Sequence, residues 1–212
     1  MPQALPAVAA AVRDADPDLR LAALEAAKVL AGVEQIPELV QALERAEAEA
    51  ERKAAEGALV AVCGRCGLAA VEPLKAALAT ASERVEGALL RALAQFGGEQ
   101  SLAVLVERLA DPREPIRQEV LRLLTGWRTR EAVPHLLALA RQEGEMRERV
   151  LALRALVRLA SPRKDEWGAD EAVLAEVMGL SQRVEEKRLV LGGLGEVATY
   201  RALALAALAL AE

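Results

Sequence analysis

The sequence predicts an all-α fold, an α-solenoid of about six helical hairpins preceded by a leading helix, forming one domain over residues 1–212. Three observations predict it. Apolar residues recur at helical spacing in two interleaved registers. Each register returns about every 31 residues, the mark of a stacked repeat in which no single hairpin buries its own apolar face. Aromatic residues make up only 2% of a chain that is 53% hydrophobic. Its core is therefore filled by Leu, Ala and Val, which suit close-packed helices better than a sheet.

The first register starts at an anchor and places apolar residues three, four and seven positions on. It reads Leu5-Val8-Ala9-Val12, Ile36-Leu39-Val40-Leu43, Leu102-Leu105-Val106-Leu109 and Val133-Leu136-Leu137-Ala140, and returns at Leu203. Looser copies begin at Val71 and Leu174, where the preceding interval stretches to 41 residues around the insertion SPRKDEWGAD. The second register steps by four, three and four: Leu19-Ala23-Ala26-Leu30, Ala55-Leu59-Val62-Cys66, Val85-Leu89-Ala92-Phe96, Ile116-Val120-Leu123-Trp127 and Met146-Val150-Leu153-Val157. Each unit is thus a first helix from the second register followed by a second helix from the first.

Punctuation supports this division. Asp16-Pro17 and Asp111-Pro112 offer a capping side chain followed by a proline at the start of first helices, and Ser82 offers a cap before Val85. Gly32, Gly67 and Gly97-Gly98 fall between paired helices, where a left-handed cap is wanted. Pro6, Pro37, Pro73 and Pro134 sit near the starts of second helices, where a missing N–H costs little.

The stretch DPREPIRQEVLRLLTGWRTREAVPHLLALA resembles a HEAT repeat of the short bacterial type. It has the Asp-Pro opening, the apolar-Arg step at Ile116-Arg117 and the lead-in Ala132-Val133-Pro134 to the second helix. Leu19-Arg20 and Met146-Arg147 repeat the step, whereas Glu56 and Glu86 replace the arginine and predict a broken ladder there. The resemblance extends over the chain. It implies a right-handed superhelix with second helices on the concave side, serving as a protein-binding scaffold, and also implies that the chain is a module of a larger protein.

Charge narrows the function. The net charge is −5, and the rows two and five places after each anchor contain no basic residue, so a nucleic-acid backbone finds no counter-charge there. The start lacks a positively charged leader, and the longest uncharged apolar run, residues 202–211, is half a membrane span. These features predict a soluble chain, cytoplasmic by default, that takes a protein or peptide partner and needs no cofactor. Contact residues expected in the groove are Glu38, Val104, Glu107, His135 and Glu176. The end helices QALPAVAAAV and RALALAALALAE are apolar nearly all round, which predicts docking on another domain, a longer array or a second copy.

The residues that tempt an enzymatic reading have plainer explanations. His135 is the only histidine, in a slot that other units fill with Ala7, Glu38, Pro73 and Val104, so no metal set or triad assembles around it. Cys63 and Cys66 form a C-x-x-C, yet both fall on interior slots of a first helix, as Trp127 does, and there is no second pair to complete a zinc site. Trp167, in the insertion, reads either as a rim anchor for a partner or as a ring folded over the widened joint, the second being favoured. The competing function is an enzyme or cofactor handler on the same scaffold, similar to the bilin lyases. It would need a closed pocket with His135, Cys63 or a glutamate pair at its base.

Overall fold

The structure is a computed structural model and describes residues 4–142, 145–161 and 170–195, without the side chains of Ala4 and Phe96. Among them there is no strand, and twelve α-helices follow one another. They are α1 (Ala4–Ala11), α2 (Pro17–Leu30), α3 (Ile36–Arg45), α4 (Glu49–Cys66), α5 (Val71–Leu78) and α6 (Glu83–Phe96). Then come α7 (Glu99–Glu107), α8 (Glu114–Thr125), α9 (Val133–Arg141), α10 (Met146–Ala160), α11 (Glu171–Leu180) and α12 (Val184–Gly195). The even-numbered helices are the first helices of the repeats, and the odd-numbered ones after α1 are the second. The final second helix expected near Leu203 lies outside the described residues.

The chain divides into two compact units, Met1–Val120 and Leu121–Glu212. In the first, α2, α4 and α6 pack side by side as one layer, with α2 on α4 and α4 on α6. The second helices form the other layer, with α3 against α5 and α5 against α7, while α1 lies on α2. In the second unit α10 packs on α9, α11 and α12, and α9 touches α11. Both units are thus layered helical hairpins in the manner of an α-solenoid.

Burial sharpens the repeat. Ala31, Val62, Leu93 and Leu124 are all buried and stand 31 residues apart, and Ala27, Ala58, Leu89 and Val120 repeat the pattern one turn earlier. Ala160 and Leu156 continue both rows after a longer interval. The second-helix register holds as expected: Ile36, Val71, Leu102 and Leu174 are buried, as are Leu39, Leu74, Leu105, Leu136 and Val177 three places on. The first-helix register needs correction. Leu19 is 47% exposed and Met146 50% exposed, so neither begins an interior row. In helices composed almost wholly of Leu, Ala and Val, a four-three-four step fits more than one face, and periodicity alone does not choose.

The caps show a similar mixture. Asp16 caps α2, its carboxylate accepting from the N–H of Asp18 at 2.9 Å. Helix α8 starts only at Glu114, and Asp111 instead accepts from the Arg113 N–H. Ser82 precedes α6, but its hydroxyl donates to Glu44 of α3 at 2.6 Å, tying one repeat to the next instead of capping its own helix. Gly67, Gly97 and Gly98 take the positive φ that L-residues avoid, whereas Gly32 is extended and Ala31 ends α2.

Arginines bind the layers together. Arg20 of α2 reaches Glu51 of α4 at 2.7 Å, and Arg149 of α10 pairs with Glu186 of α12 at 3.4 Å. Arg149, not Arg147, therefore takes the ladder position in the fifth hairpin; Arg147 is exposed. The glutamates that replace arginine do not simply break the ladder. Glu56 receives Arg91 at 2.7 Å, and that same guanidinium also holds Glu119 at 2.8 Å. Two further arginines turn back onto helix ends: Arg65 donates to the carbonyl of Ala31, and Arg158 to those of Thr125 and Trp127. Each satisfies acceptors that a helix C-terminus leaves open.

Leu93→Ala should lower unfolding free energy by about 3 kcal/mol, because it empties a fully buried seat between hairpins. Leu19→Ala should change it by no more than about 0.5 kcal/mol, as for other surface changes. Urea denaturation of the two variants beside the wild type measures both.

Candidate interaction surface

The second helices carry the candidate surface, and their burial decides which side chains are offered. Positions five after the anchor are exposed wherever they are described: Ala10, Gln41, Ala76 and Glu107 in the first unit, Ala138 and Gly179 in the second. Positions two after the anchor are withdrawn from α3 onward. Glu38, Pro73, His135 and Glu176 are half-buried, and Val104 is only 8% exposed. Both rows lie opposite the anchor by helical angle, yet the open arc is centred on the side of positions one, five and eight, where Pro37, Pro134, Arg13 and Arg141 are exposed.

The expected contact residues therefore divide. Glu107 stands on the open row. Val104 packs inside the stack. Glu38 is engaged by Arg13 at 2.7 Å, and Glu176 by Arg141, each arginine coming from eight places after the anchor of the preceding odd-numbered helix. The face is less acidic than its rows suggested, because cations from a third row neutralise two of its carboxylates. Arg13 and Arg141 were legible only by setting the end of one second helix beside the start of the next. Trp167 lies outside the described residues.

The cysteines and Trp127 can now be placed. Cys63 has no exposed surface; burial first, then the neighbouring Cys66, pushes its thiol up to about 12, so it stays protonated and unreactive at neutral pH. Cys66 is half-buried, less enclosed than its slot predicted. Trp127 is buried as expected and donates its indole N–H to the Thr129 hydroxyl at 2.9 Å. Among the described residues no group of three or more His, Cys, Asp and Glu side chains could hold a metal ion.

One polar cluster sits where the stack is otherwise dry. Glu86 of α6, 2% exposed, takes Arg113 at 2.7 Å and Arg108 at 3.5 Å, while the nearly buried Asp111 also takes Arg113 at 2.7 Å. The side chain and backbone N–H of Arg113 hold the Asp111 carboxyl down at about 2. This cluster joins α6 to the turn before α8 within the first unit and serves packing.

A family model described as HEAT repeats matches residues 36–122. Over residues 36–122 the chain is therefore similar to HEAT repeats. The matched HEAT segment runs from the start of α3 into α8 and contains the 31-residue rows at Val62 and Leu93. HEAT repeats generally serve as protein-interaction scaffolds and are typically non-enzymatic. No curated protein matches the sequence. Among solved structures, one similar chain is an engineered protein solved by the Northeast Structural Genomics Consortium. It is 17% identical, with 96% of this chain and 94% of that one covered and a TM-score of 0.44.

Asp111→Asn should destabilise the protein at pH 7. A carboxyl held low in the folded state contributes stability above its unfolded value of about 4 and loses it as the pH falls toward 2. Thermal melts should therefore show a gap between wild type and variant that is full above pH 5 and closes between about pH 4 and pH 2.

Proposed function

We propose that this chain is a non-enzymatic HEAT-repeat scaffold that binds a protein or peptide along its second-helix face, as one module of a larger assembly. The observation that carries the reading is the exposed row Ala10, Gln41, Ala76 and Glu107, with α3 packed on α5 and α5 on α7. Small side chains leave the helix surfaces open, so a partner approaches the backbone cylinders closely and buries their flanks. One carboxylate, Glu107, interrupts this smooth strip and gives it polarity. Such a surface suits a ligand that brings its own large side chains into shallow seats.

Glu107 is the principal polar contact. In the first unit Glu38 contributes through its pair with Arg13; in the second unit, taken by itself, Glu176 with Arg141 and the half-buried edge of His135 offer the equivalent contact. Val104 shapes the floor from beneath, and Trp167 is the rim anchor if its ring reaches the partner. The outer side of α1, where Pro6, Ala7 and Ala10 are exposed, belongs to the same proposal as a second contact with another domain or a second copy.

Photocrosslinking tests it. A benzophenone side chain at position 76 should capture a protein partner from the native cell extract, and the same group at position 22, on the exposed side of α2, should not. Glu107→Lys should reduce capture at position 76 at least fivefold. Equal capture at both positions, or none at position 76, contradicts the reading.

A further inference from the structure

Long side chains cross the grooves between neighbouring first helices. Lys28 of α2 lies over Gly57 of α4, its Cε 3.1 Å from where a β-carbon would stand. Arg91 of α6 reaches Glu56 of α4 at 2.7 Å and Glu119 of α8 at 2.8 Å. Between α6 and α8, within the first unit, the crossing is incomplete, and an open trough of about 580 Å³ remains. Its walls include Glu83, Arg84, Gly87 and Arg91 from α6, and Ile116 and Glu119 from α8. Gly87 makes the room. Counted by 31 residues, its equivalents are Glu25, Glu56 and Gln118, each with a long side chain.

Neither backbone nor packing calls for that glycine. It lies inside α6 without a positive φ, and glycine is the poorest helix former after proline. A β-carbon there would have Arg91 Nη1 as its nearest neighbour, at an ordinary 3.5 Å. The walls then select the occupant. Arg91 gives its Nε to Glu56 and its Nη1 to Glu119, and Arg84 gives an Nη2 to the Glu44 carbonyl. An oxyanion needs those N–H edges. What Arg91 still offers is the flat face of its guanidinium, for its side chain stays 38% exposed despite both ion pairs. Aromatic rings stack on that face, and Ile116 supplies an apolar floor for the same ring.

We propose that the trough between α6 and α8 seats an aromatic side chain, Trp or Tyr, of a partner protein, stacked on Arg91 above Gly87 and Ile116. It lies between first helices and is separate from the second-helix face. The volume falls among ligand sites, roughly 300–1,000 Å³, and holds one large ring with its flanking backbone. Trp and Tyr dominate the energetics of many interfaces because a rigid ring fills such a seat at small entropic cost. A nucleic-acid base is also flat, but its phosphates would meet the exposed Glu83 at the margin and a chain of net charge −5.

Methyl NMR of the full chain tests the proposal, because the sequence has only two isoleucines. Ile116 lines the trough, and Ile36, fully buried in α3, does not. Titration with the capped peptide Gly-Trp-Gly should shift the Ile116 methyl saturably by ring current and leave Ile36 in place. Gly-Leu-Gly should bind at least fivefold more weakly. Gly87→Leu fills the trough and should weaken the tryptophan peptide at least fivefold, while circular dichroism melts show it no less stable than the wild type. Gly64→Leu, at an exposed glycine of α4 with open space around it, should change binding less than twofold. An unmoved Ile116, equal binding of the leucine peptide, unchanged binding by folded Gly87→Leu, or tighter binding of a strand of three thymidines overturns the proposal.

Discussion

Burial of one hairpin's apolar row by the next is the constraint on which everything else in this protein rests. Val62, Leu93 and Leu124 sit dry at intervals of 31 residues, with Ala31 and Ala160 beginning and continuing the row. With almost no aromatic side chains, the stack gains its stability from many small contacts, and helices come close because alanine fills positions that larger residues would hold apart. A single hairpin has nothing to cover this row. The fold is therefore cooperative between neighbours, and its length follows from the number of copies, not from a central core.

Polar groups then fix the register that apolar packing leaves loose. Alanine and leucine faces slide past one another at little cost, whereas an arginine joining a carboxylate on the next first helix tolerates little displacement. Arg20 with Glu51, Arg91 between Glu56 and Glu119, and Arg149 with Glu186 act in this way. Ser82 does the same with Glu44. Glu186 illustrates the balance: burial alone pushes its carboxyl up, but the N–H groups of Gln182 and Arg183 and the Arg149 side chain outweigh burial and hold it below the ordinary range. Its charge is thus kept at neutral pH inside an otherwise apolar joint.

Much of this architecture was legible because helical spacing and repeat length are long-range signals that survive substitution. The second-helix anchors Ile36, Val71, Leu102 and Leu174 are buried as expected, Val133 only half so, and Cys63 and Trp127 occupy the interior seats their slots implied. The failures share one cause. The apolar-Arg step chose Arg147 over Arg149, and the four-three-four step began at Leu19 and Met146, because a helix with apolar residues on several sides has no unique stripe. Ser82 had ordinary capping chemistry but bonds to Glu44, and Gly32 is extended where a left-handed cap was expected. The candidate surface was half legible. The row at Gln41, Ala76 and Glu107 was named, but the withdrawal of Val104 and the neutralisation of Glu38 depend on neighbouring helices that periodicity does not position.

In-frame excision of one repeat length tests the central claim most directly. Removing residues 62–92 joins Ala61 to Leu93 and seats Leu93 where Val62 had been, in the same register. The shortened chain should keep cooperative thermal unfolding and native-like helical dichroism per residue. Removing residues 62–90, two residues fewer, rotates the following helix by about 200° and should abolish cooperative unfolding. If both deletions fold equally well, or neither folds, the 31-residue row is not what holds the stack together.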